Sequence, residues 1–219
     1  MSIHSFFKTS ITILFLCLFS FKASSQVYSN KTSSTFSFTL GMTSSNLLKD
    51  TMKYKSGILF SGGFMYTIVL SDKINVGLEL LYTGKSFKNE SPIIKYRYYY
   101  IDVPVYLQYK LGDNIRFNLG AQYSQFTNSS IVFLDGGSST GTKTKAYNNI
   151  KPADVGVLFG TEIDLSENIA LAARYTLSAS TFYDSNEVNF GVFQLSFNYA
   201  VYLSHKQFLN RHKEGSDNK

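Results

Sequence analysis

The sequence lacks tryptophan and is poor in cysteine, proline and histidine. Its 219 residues include 1 Cys, 3 Pro and 3 His, against 15 Gly, 16 Tyr and 19 Phe. The single cysteine, Cys17, lies in a segment that we expect to be removed on export, so a disulfide framework is excluded for the mature chain. Many aromatic residues and few prolines favour strands and turns over helices.

The N-terminus has the pattern of a secretory signal. Lys8 precedes an apolar run from Ile11 to Phe21, which is shorter than the roughly 20 residues of a membrane-spanning helix. The small residues Ala23-Ser24-Ser25 then predict cleavage before Gln26. The alternative, a lipoprotein signal at Cys17, lacks the small residues such a site requires. We therefore predict a signal peptide at 1–25, a barrel domain at 26–203 and a disordered periplasmic tail at 204–219.

The charge balance is mildly basic. The formal net charge is +6 at pH 7, and no compact basic cluster is visible along the chain. The excess indicates solubility and surface interactions, and no nucleic-acid partner is expected.

Alternation of apolar and polar residues predicts eight strands. Short turns near Ser71, Gly112 and Ser166 alternate with long polar loops at Ser44 to Lys55, Phe87 to Lys95, Thr127 to Pro152 and Ser180 to Glu187. If Leu70 pairs with Ile74, Ile68 lies opposite Val76, and Tyr66 opposite Leu78. The predicted strands are Thr35–Thr43, Ser56–Leu70, Ile74–Lys85, Tyr96–Leu111, Ile115–Ser124, Val155–Asp164, Ile169–Ser178 and Phe193–Leu203.

An antiparallel meander of this kind closes naturally into a barrel. A soluble lipocalin-like barrel would place the apolar face inside, and a membrane barrel would place it outside. The second face favours the membrane barrel, because it mixes charges of both signs with amides and small residues, as a narrow lumen requires. We therefore predict an all-β, eight-stranded, antiparallel up-and-down transmembrane β-barrel of outer-membrane type. The predicted structural network in its lumen comprises Glu79, Asp102, Lys110, Arg116, Glu162 and Arg174, with Asp164 on the same face.

The fourth strand is the most distinctive stretch. Ile101, Val103, Val105, Leu107 and Tyr109 are predicted to face lipid, and Asp102, Tyr106, Gln108 and Lys110 the lumen. Pro104 cannot donate to the ladder, which predicts a bulge or locally broken pairing. An aromatic girdle is expected at the lipid–water interface, formed by Tyr96, Tyr98, Tyr99 and Tyr100 at the loop end and Tyr109 near the turn end.

This strand resembles the PorT-like outer-membrane β-barrel family, which is common in Bacteroidetes-type bacteria. The resemblance rests on Tyr100-Ile101-Asp102-Val103-Pro104-Val105, followed by an apolar stretch, Lys110 and Gly112. It implies an eight-stranded outer-membrane barrel without a defined activity, and some relatives serve a protein-secretion system. The tail from Ser204 to Lys219 departs from the family pattern, which leaves open whether Tyr199 to Leu203 is the assembly signal.

Several kinds of chemistry find no support in the sequence. His4, His205 and His212 all lie outside the predicted strands and external loops, so a His-dependent lipid hydrolase is not expected. The run Gly136 to Thr144 has Thr142 where a phosphate-binding loop needs Lys, and Asp135, Glu162 and Asp164 lack the spacing of a calcium site. We predict no catalytic, cofactor-binding or metal-binding residues.

The expected function is that of a non-enzymatic structural or interaction protein of the outer membrane, with a PorT-type secretion accessory as one version. The alternatives are a small diffusion pore and a secreted lipocalin-like barrel that binds a hydrophobic ligand. The expected partners are outer-membrane lipid, the barrel-assembly machinery and envelope proteins.

Overall fold

The sheet wraps around on itself. A computed structural model describes residues 34–48, 54–89, 94–112, 114–135, 138–140, 151–179 and 189–202. All pairings among the described strands are antiparallel. The strands are β1 (Ser34–Leu48), β2 (Lys55–Val69), β3 (Ile74–Asn89), β4 (Ile94–Leu111), β5 (Ile115–Asp135), β6 (Ser138–Thr140), β7 (Ala153–Asp164), β8 (Ile169–Ser178) and β9 (Asn189–Tyr202).

Eight of these strands form a closed barrel. The order around the sheet is β4-β3-β2-β1-β9-β8-β7-β5, and the pairing of β4 with β5 closes the circle. Within the described residues, the short strand β6 pairs with the end of β5, at Phe133↔Thr140, Leu134↔Ser139 and Asp135↔Ser138. The predicted eight-stranded antiparallel barrel is therefore confirmed.

No helix in the described part of the chain has the length and apolarity needed to span a bilayer.

The apolar face of every long strand points outward. On β4, Leu107 is 56% exposed and the following Gln108 only 1%. Such alternation follows from strand geometry, since successive side chains leave opposite faces of a sheet. The exposed side chains form an apolar belt around the barrel that includes Leu40, Phe60, Leu80, Val105, Leu119, Val157 and Phe197. A surface of this kind suits lipid, and it is the reverse of a lipocalin-like barrel.

The short connections all lie at one end of the barrel, which we call the turn end. The predicted β2–β3 register is confirmed, with Ile68 opposite Val76 and Tyr66 opposite Leu78. Gly112 directly follows β4 and has a positive φ of 72°, a conformation that suits a residue without Cβ. The connections at the other end, the loop end, are longer.

The strands extend further at the loop end than the alternation predicts. Phe87 belongs to β3, and Ile94 and Lys95 to β4, so the predicted loop from Phe87 to Lys95 is mostly wrong. The predicted loop from Thr127 is also wrong up to Asp135, because β5 continues to that residue. The end of β1 lies at Leu48 rather than Thr43. Beyond a membrane the outward side chains contact water and need not be apolar, so the ladder continues where the lipid-facing alternation ends.

Pro104 interrupts the ladder without shifting it. The β3–β4 pairs run from Ile74↔Tyr109 to Leu78↔Val105 and resume at Leu81↔Asp102 in the same register. The β3–β4 pairs that are missing include the one opposite Pro104. Of the two predicted alternatives, locally broken pairing is therefore confirmed and a bulge is not. The irregularity between β4 and β5 lies elsewhere, at Tyr99/Tyr100.

Some predictions concern residues outside the described part of the chain. These are the signal peptide at 1–25, the tail at 204–219 together with Leu203, the loop at 180–187, and most of the run at 136–144.

Candidate functional site

A buried ion pair crosses the lumen near its middle. Arg174 donates from Nη1 to Glu79 Oε1 at 3.1 Å and from Nη2 to Glu79 Oε2 at 2.9 Å. Glu79 lies on β3 and Arg174 on β8, which are four strands apart in either direction around the barrel. The Glu79–Arg174 bridge therefore spans the full diameter. Both side chains are buried, and this bidentate geometry is the strong form of an Arg–carboxylate contact.

Tyr106 of β4 completes the bridge. Its hydroxyl donates to Glu79 Oε1 and lies 3.2 Å from Met65 Sδ, while the Arg174 guanidinium carbon is 5.9 Å from the centre of its ring. Tyr106, Met65 and Leu158 form a buried apolar cluster at this level. The lumen is thus filled with both charged and apolar side chains at mid-height.

Two glycines make room for Tyr106. In the ladder, Gly77 of β3 and Gly120 of β5 are its direct neighbours on either side. A Cβ on Gly77 would lie 2.5 Å from Tyr106 Cζ, and one on Gly120 would lie 2.5 Å from Tyr106 Cα. Since real side chains do not approach so closely, only glycine fits at these positions while Tyr106 holds its place.

A second charged group lies nearer the turn end. Arg116 donates from Nη2 to Glu162 Oε1 at 2.8 Å and also contacts Asp164 Oδ1. Gln108 Nε2 donates to Glu162 Oε2 at 3.1 Å. Two carboxylates from β7 thus share one guanidinium from β5, the adjacent strand, and Glu162 also accepts a hydrogen bond from an amide of β4.

Glu162→Ala is expected to lower the free energy of unfolding by about 1.5–3 kcal/mol, because it removes charged hydrogen bonds from Arg116 and Gln108 while Asp164 still neutralises Arg116. Urea titration of the folded barrel in detergent, followed by the heat-shift gel, measures this loss. Asp72→Ala, which removes an exposed carboxylate at the same end, is the matched control. Equal unfolding midpoints for both variants would contradict the assignment.

Two of the predicted network residues are not brought into these groups. Asp102 is buried, and its Oδ1 atom has no hydrogen-bond partner. Lys110 forms no ion pair with any side chain of the described residues, and it lines a cavity instead. The structure thus places Glu79 with Arg174 and Arg116 with Glu162, and leaves Asp102 and Lys110 outside both pairs.

The cavity opens among the short turns. It has a volume of ≈ 530 Å³, and its walls include Asn75, Lys110, Arg116, Glu162 and Asp164. Asn75 is buried with its Oδ1 unpaired, so the wall carries free hydrogen-bonding capacity. The Glu79–Arg174 bridge and the Tyr106 cluster lie between this cavity and the loop end.

An aromatic cluster fills the lumen at the loop end. It consists of Phe87, Tyr98, Tyr100, Phe190 and the aliphatic Val192, all buried. The rings of Phe87 and Tyr98 stack with centroids 5.3 Å apart, and Phe190 lies 6.2 Å from Phe87. The sequence prediction placed Tyr98 and Tyr100 in the outer girdle, and that is wrong.

The sequence did contain a signal for this cluster. Tyr96, Tyr98 and Tyr100 have the same parity as Asp102 and Tyr106, so continuing the alternation toward the loop end places them inside. Tyr96 packs against the cluster, whereas Tyr99 points outward and stacks on Tyr82. Composition alone suggested a girdle, and parity was the more reliable guide.

Lys85 is buried beneath the aromatic cluster. Its ammonium lies 4.2 Å from the centre of the Tyr100 ring and 5.2 Å from that of Phe190. Asp154 of β7 is 3.9 Å away and accepts a hydrogen bond from Ser178 at 2.6 Å. Cation–π contacts and one carboxylate together compensate for burying this charge.

The described residues contain no group of three or more His, Cys, Asp or Glu side chains that could hold a metal ion. The lumen contains ion pairs, amides and rings, most of which contact one another. Such an arrangement can stabilise and close a barrel.

The chain matches the family model described as "Outer membrane protein beta-barrel domain" over residues 13–200. No curated protein matches it. Among solved structures, it is similar to Neisserial surface protein A, at 16% identity over 75% of this chain and 96% of that chain, with a TM-score of 0.47. It is also similar to Ail of Yersinia pestis, at 16% identity over 78% and 100% with a TM-score of 0.47. It is likewise similar to OprG of Pseudomonas aeruginosa, at 14% identity over 78% of this chain and 97% of that chain, with a TM-score of 0.42.

Proposed function

Because the chain belongs to the outer membrane protein beta-barrel domain family, we propose that it is a non-catalytic structural and interaction protein of the outer membrane that acts through its loops and outer surface. The observation that carries the proposal is the filled lumen. The Glu79–Arg174 bridge spans it at mid-height, and the aromatic cluster fills it at the loop end. With the interior occupied, the surfaces left for a partner are the outer wall and the two ends.

Outer-membrane fractionation combined with the heat-shift gel tests the placement. A folded barrel extracted only by detergent, migrating differently before and after boiling, is the expected result. Recovery of the protein in the soluble fraction would instead support the lipocalin-like alternative. The exposed apolar belt argues against that alternative, since a soluble protein rarely leaves so much contiguous apolar surface in water.

A secretion accessory of PorT type is the more specific version of the proposal. It is supported by the strand from Tyr100 to Gly112, with Pro104 buried in the lumen and Gly112 at the turn. Deletion of the gene, followed by comparison of secreted proteins and co-purification of envelope partners, tests this version. An unchanged set of secreted proteins would overturn it and leave the structural role standing.

Export by a cleaved signal and insertion by the barrel-assembly machinery complete the proposal. N-terminal sequencing of the membrane-inserted protein is expected to begin at Gln26. A chain that still begins at Met1 would contradict cleavage.

The diffusion pore is the second candidate, because the cavity at the turn end already opens the lumen from one side. We expect no stable conductance steps in planar bilayers, since the Glu79–Arg174 bridge, the Tyr106 cluster and the aromatic cluster at the loop end all close the path. A sixteen-stranded porin in the same bilayers is the positive comparison. Stable ohmic conductance by the unmodified protein would favour the pore.

A further inference from the structure

The outer surface of β3 and β4 changes from apolar to basic at the loop end. The apolar series ends at Tyr82 and Tyr99, whose rings stack with centroids 5.6 Å apart and an interplanar angle of 7°. The next outward positions of β4 are Arg97 and Lys95. Lys88 of β3 is paired directly with Lys95 in the ladder. We call Lys88, Lys95 and Arg97 the basic flank.

The three cations of the basic flank lie close together. Directly paired residues on adjacent strands have Cβ atoms about 4.5–5.5 Å apart, and next neighbours on one face of a strand are about 7 Å apart. Lys55 of β2 lies opposite Lys88 in register and extends the row onto a third strand. No compact basic cluster is visible along the chain, because Lys55 and Lys88 lie on β2 and β3, and only strand pairing brings them beside Lys95 and Arg97 of β4.

This arrangement has an uncompensated charge. Like charges placed directly opposite each other destabilise a sheet. Among the described side chains, Lys88, Lys95 and Arg97 form no ion pair, and Arg97 Nε is buried without a hydrogen-bond partner. An external anion would offset the repulsion among these three cations.

The position of the basic flank along the barrel indicates which kind of anion it would bind. Tyrosine rings at the end of an apolar belt sit at the level of lipid headgroups. Arg97 and Lys95 precede Tyr99 by two and four residues, which places them about 7–13 Å further toward the loop end. Long basic side chains keep their stems against apolar surface and extend their charges to the headgroups.

We propose that the basic flank binds the phosphate of an outer-leaflet lipid headgroup and so fixes this side of the barrel against its surrounding lipid. The proposal rests on the outer-membrane placement argued above and adds to it a lipid site and its chemistry. Phosphate suits three adjacent cations because it offers several acceptor oxygens, and because Arg pairs with it in a bidentate manner.

Native mass spectrometry of the full folded barrel in detergent, titrated with lipid A that carries two phosphates, tests the proposal directly. Each of Lys88→Gln, Lys95→Gln and Arg97→Gln is expected to weaken binding about fivefold, as for removal of one cation at a charged lipid surface. Added salt is expected to weaken binding to the unmodified protein through screening.

Lys73→Gln is the matched control, since Lys73 is an exposed cation at the turn end, and it is expected to leave the Kd unchanged. The heat-shift gel checks that every variant is folded. We expect folding to be retained, because the substituted side chains all face outward. Equal binding of the same lipid without its phosphates would overturn the proposal, as would an unchanged Kd for Lys95→Gln. Competition by inorganic phosphate at concentrations equal to those of the lipid would overturn the lipid assignment in favour of a soluble anion. Because these measurements use detergent, they are independent of the fractionation result.

Discussion

Arg174→Ala is expected to lower the free energy of unfolding of the barrel by about 3–5 kcal/mol, the cost of leaving one member of a buried ion pair without its partner. The guanidinium of Arg174 supplies both hydrogen bonds that neutralise Glu79 across the lumen. Once it is removed, Tyr106 is the donor left to Glu79, and a neutral hydroxyl cannot balance a full charge.

Urea titration of the detergent-folded barrel measures this loss of free energy. The temperature at which the folded band disappears on a heat-shift gel gives an independent measurement. The double variant Glu79→Gln/Arg174→Met is the matched control, because it removes both charges and keeps most of the side-chain volume. It should recover most of the lost stability, since replacing a whole buried pair by neutral groups of similar size is often close to neutral.

Arg174→Lys separates charge from geometry. A lysine keeps the positive charge but cannot form the two parallel hydrogen bonds of the guanidinium, so it should restore stability only in part. If Arg174→Ala unfolds at the same urea concentration as the unmodified protein, the bridge does not stabilise the barrel.

Gly120→Ala is expected to destabilise the barrel by about 3 kcal/mol, the upper part of the range for overpacking a filled interior. The added Cβ would meet the carbonyl oxygen of Val105 and lie 2.5 Å from Tyr106 Cα. Both are backbone atoms of β4, so relief requires the two strands to separate rather than one side chain to turn. β4 and β5 form one hairpin of the closed barrel, so separating them would open the sheet.

Gly62→Ala is the matched control for this prediction. Its added Cβ would meet Leu40 Cδ1 and Thr39 O at 3.5 Å, which is ordinary van der Waals contact. We expect its free energy of unfolding to stay within about 0.5 kcal/mol of that of the unmodified protein. Equal effects of the two substitutions would mean that loss of glycine as such, and not contact with β4, determines the outcome.

The turn-end half of the barrel was largely predictable from sequence. Between the short turns and mid-height, the strands alternate strictly between lipid-facing and lumen-facing residues, and the β2–β3 register follows from its turn. The reason is physical, because a side chain in lipid must be apolar and one in a narrow lumen must be small or paired. The polarity of each residue in that half therefore predicts the face of the sheet on which its side chain lies.

The loop-end half was less predictable. Phe87 and Ile94 were assigned to a loop but lie in strands, and Tyr98 was placed outside but lies in the lumen. Where strands continue past lipid, the outward positions become polar, as Lys88 and Lys95 show. The lumen positions at this end carry aromatic rings instead, so the polarity of the two faces is reversed, although backbone pairing persists.

The sequence by itself determined that this protein is an eight-stranded barrel with an apolar exterior, because period-two alternation and the spacing of turns are local properties of the chain. Only the tertiary structure decided which side chains contact one another. Closure of the sheet brings Glu79 and Arg174 together across the diameter, seats Tyr106 between Gly77 and Gly120, and aligns Lys88 with Lys95. Such contacts depend on strand order, register and barrel width together, and no single strand encodes them.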